Sequence, residues 1–145
     1  MDPKAAAITF LDRLFEAEFG FVKSDADGAA AFAGIFDPDA VIHQPAGLPY
    51  RGDWRGLDGV TAMFKAMRET WADMQMADIE ATMSGEVLFM TGRLTLTSRS
   101  TGKTILQPFA EVLRLKGGKL LDGTPFYYDT AEIQAAISQP RSKRP

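Results

Sequence analysis

The spacing of apolar residues changes once along this chain, and that change constrains the fold more than any other feature. Up to about residue 73 apolar side chains recur every three or four positions; from Met76 onward they alternate with polar ones. The first spacing belongs to helices with one buried face, the second to half-buried strands. Helices followed by a run of strands make an α+β domain.

Ile8, Leu11, Leu14, Phe15 and Phe19 predict a helix from about Asp2 to Phe19, stopped at Gly20. Ser24 or Asp25 can cap a second helix with Phe32, Ile35 and Phe36 on its apolar face. Asp37-Pro38-Asp39 should end it, because the residue before proline avoids helical dihedrals. Ala40 to Gln44 reads as a short strand and Pro45 to Gly56 as a loop. Val60, Phe64, Met67 and Trp71 predict a third helix from about Leu57 to Asp73. Four alternating segments follow: Met76 to Met83, Val87 to Arg99, Lys103 to Lys116 and Lys119 to Tyr128. Ser84-Gly85, Ser100-Thr101-Gly102 and Gly117-Gly118 supply the turns between them. Asp129 and Glu132 resemble a capping box for a short C-terminal helix, which Pro140 should stop. The expected layout is one domain over residues 1–139 and a basic, disordered tail over 140–145. Helices laid across the open side of a curled sheet enclose a cone, a natural place for a small apolar ligand.

Composition removes several functions. The 145 residues include no cysteine and a single histidine, so thiolate chemistry and a multi-histidine zinc site are excluded. Net charge is −3, and part of the positive charge sits in Arg141, Lys143 and Arg144. The body is therefore still more acidic, which argues against a nucleic-acid surface. There is no secretory pattern at the start and no apolar run long enough to span a bilayer, so a cytoplasmic protein without a membrane partner is expected. Gly-rich phosphate loops, a nucleophile elbow and metal-ligand clusters are missing. No cofactor and no metal are expected.

Glu111 is the most informative residue. Alternation places it beside Ile105, Gln107, Phe109, Leu113 and Leu115 on the face that should be buried. A carboxyl among apolar neighbours either finds a donor or stays protonated, and a raised pKa suits acid–base work. The alternatives are a salt bridge to an arginine or a bulge that turns it outward. Gln107 is a candidate partner or ligand contact, and Phe109, Leu94 and Leu96 are expected to line the pocket. Gln44 shares the inner face with Ile42; it either orients a water or a carbonyl, or caps the loop. His43 titrates nearest neutrality but points to the opposite face, so a surface role competes with a catalytic one. Tyr127 lies beside Gly123 and Pro125 and is either a donor or part of the core. Tyr50 and Trp54 either form a mobile lid or pack down.

The stretches Phe36-Asp37-Pro38-Asp39-Ala40-Val41-Ile42-His43-Gln44-Pro45, Arg55-Gly56-Leu57-Asp58-Gly59-Val60 and Glu111 to Leu120 resemble the SnoaL-like polyketide cyclase and ketosteroid isomerase group of the nuclear transport factor two-like superfamily. The resemblance implies a cone-shaped domain, a homodimer formed through the outer sheet face, and cofactor-free acid–base chemistry on a small hydrophobic molecule. Glu111 falls where ketosteroid isomerases keep a protonated aspartic acid. Gln44 falls where they keep the aspartate base, and an amide cannot abstract a proton. Their oxyanion tyrosine falls near Leu14 or Phe15. Limonene-epoxide hydrolases hold water with an asparagine near the Gln44 position. In cyclases of the group an acid–base pair works in the cone, for which Glu111 with His43 or Tyr127 are the counterparts. A binding module without chemistry is the competing expectation.

Overall fold

The computed structural model describes residues 2–23 and 29–138. The caps expected at Ser24 or Asp25, and the 140–145 tail with Pro140, lie outside them. Helix α1 spans Pro3–Lys23, α2 Ala29–Phe32, α3 Gly56–Thr70 and α4 Thr130–Ile137. The strands are β1 Phe36–Gln44, β2 Gly52–Arg55, β3 Trp71–Ser84, β4 Val87–Ser98, β5 Thr104–Lys116 and β6 Lys119–Tyr127. They form one sheet in the order β2-β1-β6-β5-β4-β3. Only β1 and β6 run parallel; the other neighbours are antiparallel hairpins.

Helix α1 runs through Gly20, the expected stop, to Lys23, and three further boundaries differ from the sequence reading. The second helix stops at Phe32, and Phe36 already begins β1. Asp37-Pro38-Asp39 is therefore strand, in the stretch between Phe36 and Val41 where the register against β6 breaks. Such an irregularity is where a strand tolerates a residue without a donor N–H. Second, Gly52–Arg55 in the expected loop pairs with β1 from Val41 to Gln44. Third, α3 ends at Thr70, and the buried Trp71 starts β3. Arg99 holds that end: its Nε donates to Arg68 O at 2.7 Å and its Nη2 to Trp71 O at 3.0 Å.

One inner row of the sheet reads Ala81, Met90, Glu111, Pro125 across β3 to β6. Beside it Gly123 faces Leu113 and Ile42. Helices α1 and α3 cover this face. Phe21, Phe32, Phe36 and Phe64, from α1, α2, β1 and α3, meet with ring centroids 4.6 to 6.3 Å apart and close one end. Such contacts add to the burial of large apolar surfaces.

The C-terminal helix is fastened by Gln107. Asp129 Oδ1 accepts from Glu132 N at 3.1 Å, the half of the capping box expected from sequence. The other half is taken over: Asp129 N donates to Gln107 Oε1 at 3.3 Å, and Gln107 Nε2 donates to Glu132 Oε1 at 2.8 Å and to Asp129 O at 3.2 Å. Gln107 is buried with its whole amide occupied, so it anchors α4 and is not a ligand contact.

On the opposite face, His43 joins three strands. Its Nδ1 lies 2.8 Å from Asp53 of β2 and its Nε2 2.9 Å from Asp122 of β6. Ionised carboxylates only accept, and a neutral imidazole has one N–H, so both bonds require the imidazolium. Hydrogen bonding by Asp122, then Asp53, raises its pKa above 6.5, against a smaller effect of burial. Arg55, paired with Asp53 at 3.4 Å, and Arg114, opposite Asp122 in register, flank the clamp. A raised histidine stabilises fully below the unfolded pKa of 6.5, and this contribution fades as pH rises through the folded pKa. Since the chain has one histidine, its ring resonances report this directly. Their NMR midpoint should lie above 6.5, and Asp122→Asn should lower it. A midpoint at or below the ordinary value would remove the clamp.

Candidate active site

Between α1, α3 and the sheet lies a cavity of about 30 Å3, bordered by Leu14 and Glu18 of α1, Met63 and Phe64 of α3, and residues of β1, β5 and β6. The latter include Gln44, Phe109, Glu111 and Tyr127. About one water fits such a volume. A larger open trough of about 820 Å3 runs beside it, where Lys4 and Ile8 meet β3, β4 and β5. Glu111 borders both spaces. The small cavity holds the chemical groups; the trough offers room.

Glu111 is set between Met90 and Pro125 in register. Its Oε2 lies 3.6 Å from where a Cβ on Gly123 would stand, an ordinary contact distance. Among the described residues it has no hydrogen-bond or ion-pair partner, and neither the arginine bridge nor the outward bulge occurs. Burial raises its pKa to about 8. At neutral pH it is therefore mostly a neutral acid.

Tyr127 packs edge-on against Phe109, centroids 5.2 Å apart. Its hydroxyl lies 3.1 Å from that of Tyr50, and Trp71 Nε1 donates to the Tyr50 hydroxyl at 2.8 Å. The indole N–H can only donate. When Tyr50 accepts from Trp71 and donates to Tyr127, the Tyr127 proton is left for the cavity. Burial raises the pKa of both phenols, Tyr50 to about 12, so both stay protonated and available as donors.

Gln44 is buried, and its Nε2 contacts Met63 Sδ at 3.3 Å. Its Oε1 has no partner. The amide therefore does not cap the loop; its acceptor is held in reserve beside the cavity.

Several residues named from sequence do not border this cavity. His43 is on the outer face. Leu94 and Leu96 are buried core outside its lining, and Gln107 is committed to α4. Tyr50 is buried at 1% exposure, and Trp54 Nε1 donates to Tyr50 O at 3.1 Å, so both aromatics are pinned down instead of forming a mobile lid. Gln134 Nε2 holds the same loop at Gly47 O, 2.7 Å away.

Glu18 is the residue sequence reasoning missed. It follows Leu14 by four positions and Leu11 by seven, and both leucines are buried. That spacing places it on the inner stripe of α1. Burial, and then the neighbouring Glu111, raise its pKa well above the ordinary 4.5.

With this geometry in view, comparison with other proteins is informative. The SnoaL-like domain profile matches residues 11–122. The chain belongs to the SnoaL-like family. Its fold is shared with an NTF2-like protein of unknown function from Burkholderia pseudomallei K96243 at 24% identity and TM-score 0.74, over 90% of this chain and 98% of that one. A protein assigned as a SnoaL-like polyketide cyclase, from Jannaschia sp. CCS1, matches at 15% identity and TM-score 0.74, over 97% of both chains. TerC, co-crystallised with polyporic acid, matches at 18% identity and TM-score 0.70, over 88% of this chain and 97% of its own. No curated protein matches in sequence. As a SnoaL-like domain the chain has the expected α+β architecture, and no described helix is long and apolar enough to cross a membrane.

The burial of Glu111 has a thermodynamic signature. Below about pH 4.5 the carboxyl is protonated folded and unfolded; above it only the unfolded form ionises until about pH 8. The native state then binds more protons, so stability falls as pH rises through that window. Glu111→Gln lacks this loss. In urea melts it should match wild type in acid and exceed it by about 2–5 kcal/mol in mild alkali. An unchanged difference between the two conditions would show the carboxyl ionised in the fold.

Proposed function

We propose that this SnoaL-like protein is a cofactor-independent cyclase, isomerase or hydratase acting on a small hydrophobic carbonyl compound. The observation that carries this reading is Glu111: a carboxyl without a protein partner, in an apolar cavity, beside the Tyr127 hydroxyl. Both groups are protonated at neutral pH and can donate to an oxygen on which negative charge develops. Donors placed beforehand in a water-poor site stabilise such charge better than water does. The trough suits the body of the ligand, since Glu111 lies on its wall, and the small cavity suits its polar end. The complex of TerC with polyporic acid, a structural relative, supports a cyclic carbonyl compound as ligand class.

Glu111 acts as acid or base, Tyr127 as a donor, Gln44 as an orienting acceptor and Phe109 as apolar wall. Glu111→Gln should lower turnover of the true substrate by roughly 10²–10⁴-fold. Tyr127→Phe should reduce it less. A fully active Glu111→Gln enzyme would reject the assignment.

A second reading is a binding module without chemistry. It is favoured by an amide in Gln44, which takes no proton from carbon, and by the small cavity. Thermal shifts with hydrophobic carbonyl compounds, unaccompanied by product, would support it; turnover would exclude it.

We also infer a homodimer through the outer sheet face. Leu106 and Phe126 are 50% and 53% exposed there, with Pro108 and Ala110 following Leu106 along β5 and Ala110 paired with Phe126. An exposed apolar patch of this kind marks an interaction surface. Wild type should sediment as a dimer, and Phe126→Asp as a monomer with an unchanged melt. A monomeric wild type would refute this.

A further inference from the structure

Glu18 enters the cavity from α1, one helical turn after Leu14. Glu111 reaches the same cavity from β5. Neither carboxyl has a hydrogen-bond or ion-pair partner among the described residues. Two facing carboxyls alone would be only an acidic cluster. Gln44 adds an independent sign of a ligand: it is 8% exposed, borders the same cavity, and its Oε1 has no donor. A buried acceptor left unmade in the protein is satisfied when a ligand brings the hydrogen.

No Lys, Arg or His borders the cavity. The titratable groups around it are Glu18 from α1, Glu111 from β5, Tyr127 from β6 and, behind Tyr127, Tyr50. The neighbouring parts of α3 and β1 contribute Met63, Phe64, Ile42 and Gln44, none of them charged. Within the small cavity an anionic group would find two acids and no cation, since Lys4 and Glu80 border only the trough. A neutral one would find donors for a carbonyl oxygen and an acceptor for a hydroxyl.

We propose that Glu18 and Glu111 share one proton and form the two ends of a proton-transfer site for an uncharged hydroxycarbonyl compound. The proposal deepens the reading of Glu111 as an acid–base residue and rests on it. With both carboxyls ionised the site has no acid; with both protonated it has no base. In the one-proton state, entered in mild alkali as the first of the two ionises, the ionised carboxyl takes a proton from the carbon next to the carbonyl. The C–H electron pair becomes a C=C bond, the C=O π pair moves to oxygen, and the other carboxyl gives that oxygen its proton. The pair ends with one proton, as it began, with the two roles exchanged. Reprotonation at a different carbon gives an isomer. Gln44 Oε1 orients the ligand hydroxyl. Mutual repulsion, seen in the upward effect of Glu111 on Glu18, separates the two ionisations and so widens the range over which one proton is held.

The test begins without substrate. In the intact protein labelled with carbon-13 at the glutamate carboxyls, two signals should titrate well above the rest. Signals lost in Glu18→Gln and Glu111→Gln assign them. Glu111→Gln should lower the Glu18 midpoint by about one pH unit or more, since the Glu111 charge raises it, whereas Glu18→Gln should leave the first ionisation near its place. A Glu18 that titrates with the surface glutamates, or a Glu18 midpoint that ignores Glu111→Gln, overturns the pair. Both variants are near-isosteric; Glu18→Asp, which shortens the side chain but keeps the charge, should retain coupling if glutamine prevents folding.

The second arm follows deuterium exchange into the methylene of α-hydroxyacetophenone, an uncharged hydroxy ketone, by proton NMR. Exchange should be faster with wild type than in buffer, bell-shaped in pH, and at least about 100-fold slower in Glu18→Gln. Exchange that is unchanged in Glu18→Gln but lost in Glu111→Gln overturns the role of Glu18 and leaves the Glu111 reading standing. Coupled titrations without wild-type exchange refute the transfer step on this ligand class, and with it that reading, while leaving the shared proton as a physical fact.

Discussion

The alternation of side chains along β5, held between β4 and β6, is the constraint on which the rest depends. It sends Glu111 inward with Phe109 and Leu113 and sends Leu106, Pro108 and Ala110 outward. A slip of one residue would exchange the two faces. The carboxyl would then meet solvent and the cavity would lose its acid, while three apolar side chains would lose their exposed surface. Acid chemistry inside and an apolar patch outside are thus two consequences of one register. That register is pinned at both ends, by the Gly117-Gly118 hairpin and by Gln107 on the C-terminal helix.

Much of this was legible in the sequence. The four long strands follow from period-two spacing to within a few residues, and the inward direction of Glu111 and Gln44 follows from the same rule. Failures arose where distant partners decide. Nothing near Thr70 announces that Arg99 will take the carbonyls of Arg68 and Trp71 and end α3. Gly52–Arg55 has the composition of a loop and becomes a strand because β1 offers it an edge. Gln107 was put on the correct face, but its place along the strand, next to Asp129, commits its amide to α4. Glu18 failed for another reason. Reading the apolar stripe of α1 from its hydrophobic residues alone passes over a charged residue that belongs to the stripe by spacing.

The site is marked less by what surrounds it than by what is absent from its border. Buried carboxylates are ordinarily paired with a cation or a set of N–H donors, and either partner lowers the pKa. Here the cross-strand neighbours of Glu111 are Met90 and Pro125, neither of them a cation or a donor. Only desolvation acts on it, and only upward. His43 is the contrast within the same molecule. Two carboxylates meet it at 2.8 and 2.9 Å on the wetter face, and its proton serves structure. The adjacent residues His43 and Gln44 thus point to opposite sides of β1, one to a satisfied charge network and the other to an unsatisfied amide.

This contrast bears on why the domain tolerates its inner acids. Replacing a lone buried carboxyl by a neutral group of similar shape removes a cost that grows as pH rises. The His43 clamp weakens over the same direction of pH, so fold and cavity both favour the protonated side of neutrality. Gly123 is already closely packed: a Cβ there would stand 3.0 Å from Ile42 and 3.1 Å from Leu113, so both side chains would have to give way. The inner carboxyls cost stability only as pH rises out of the acid range, and under the proposed reading a ligand that supplies the missing hydrogen bonds offsets that cost.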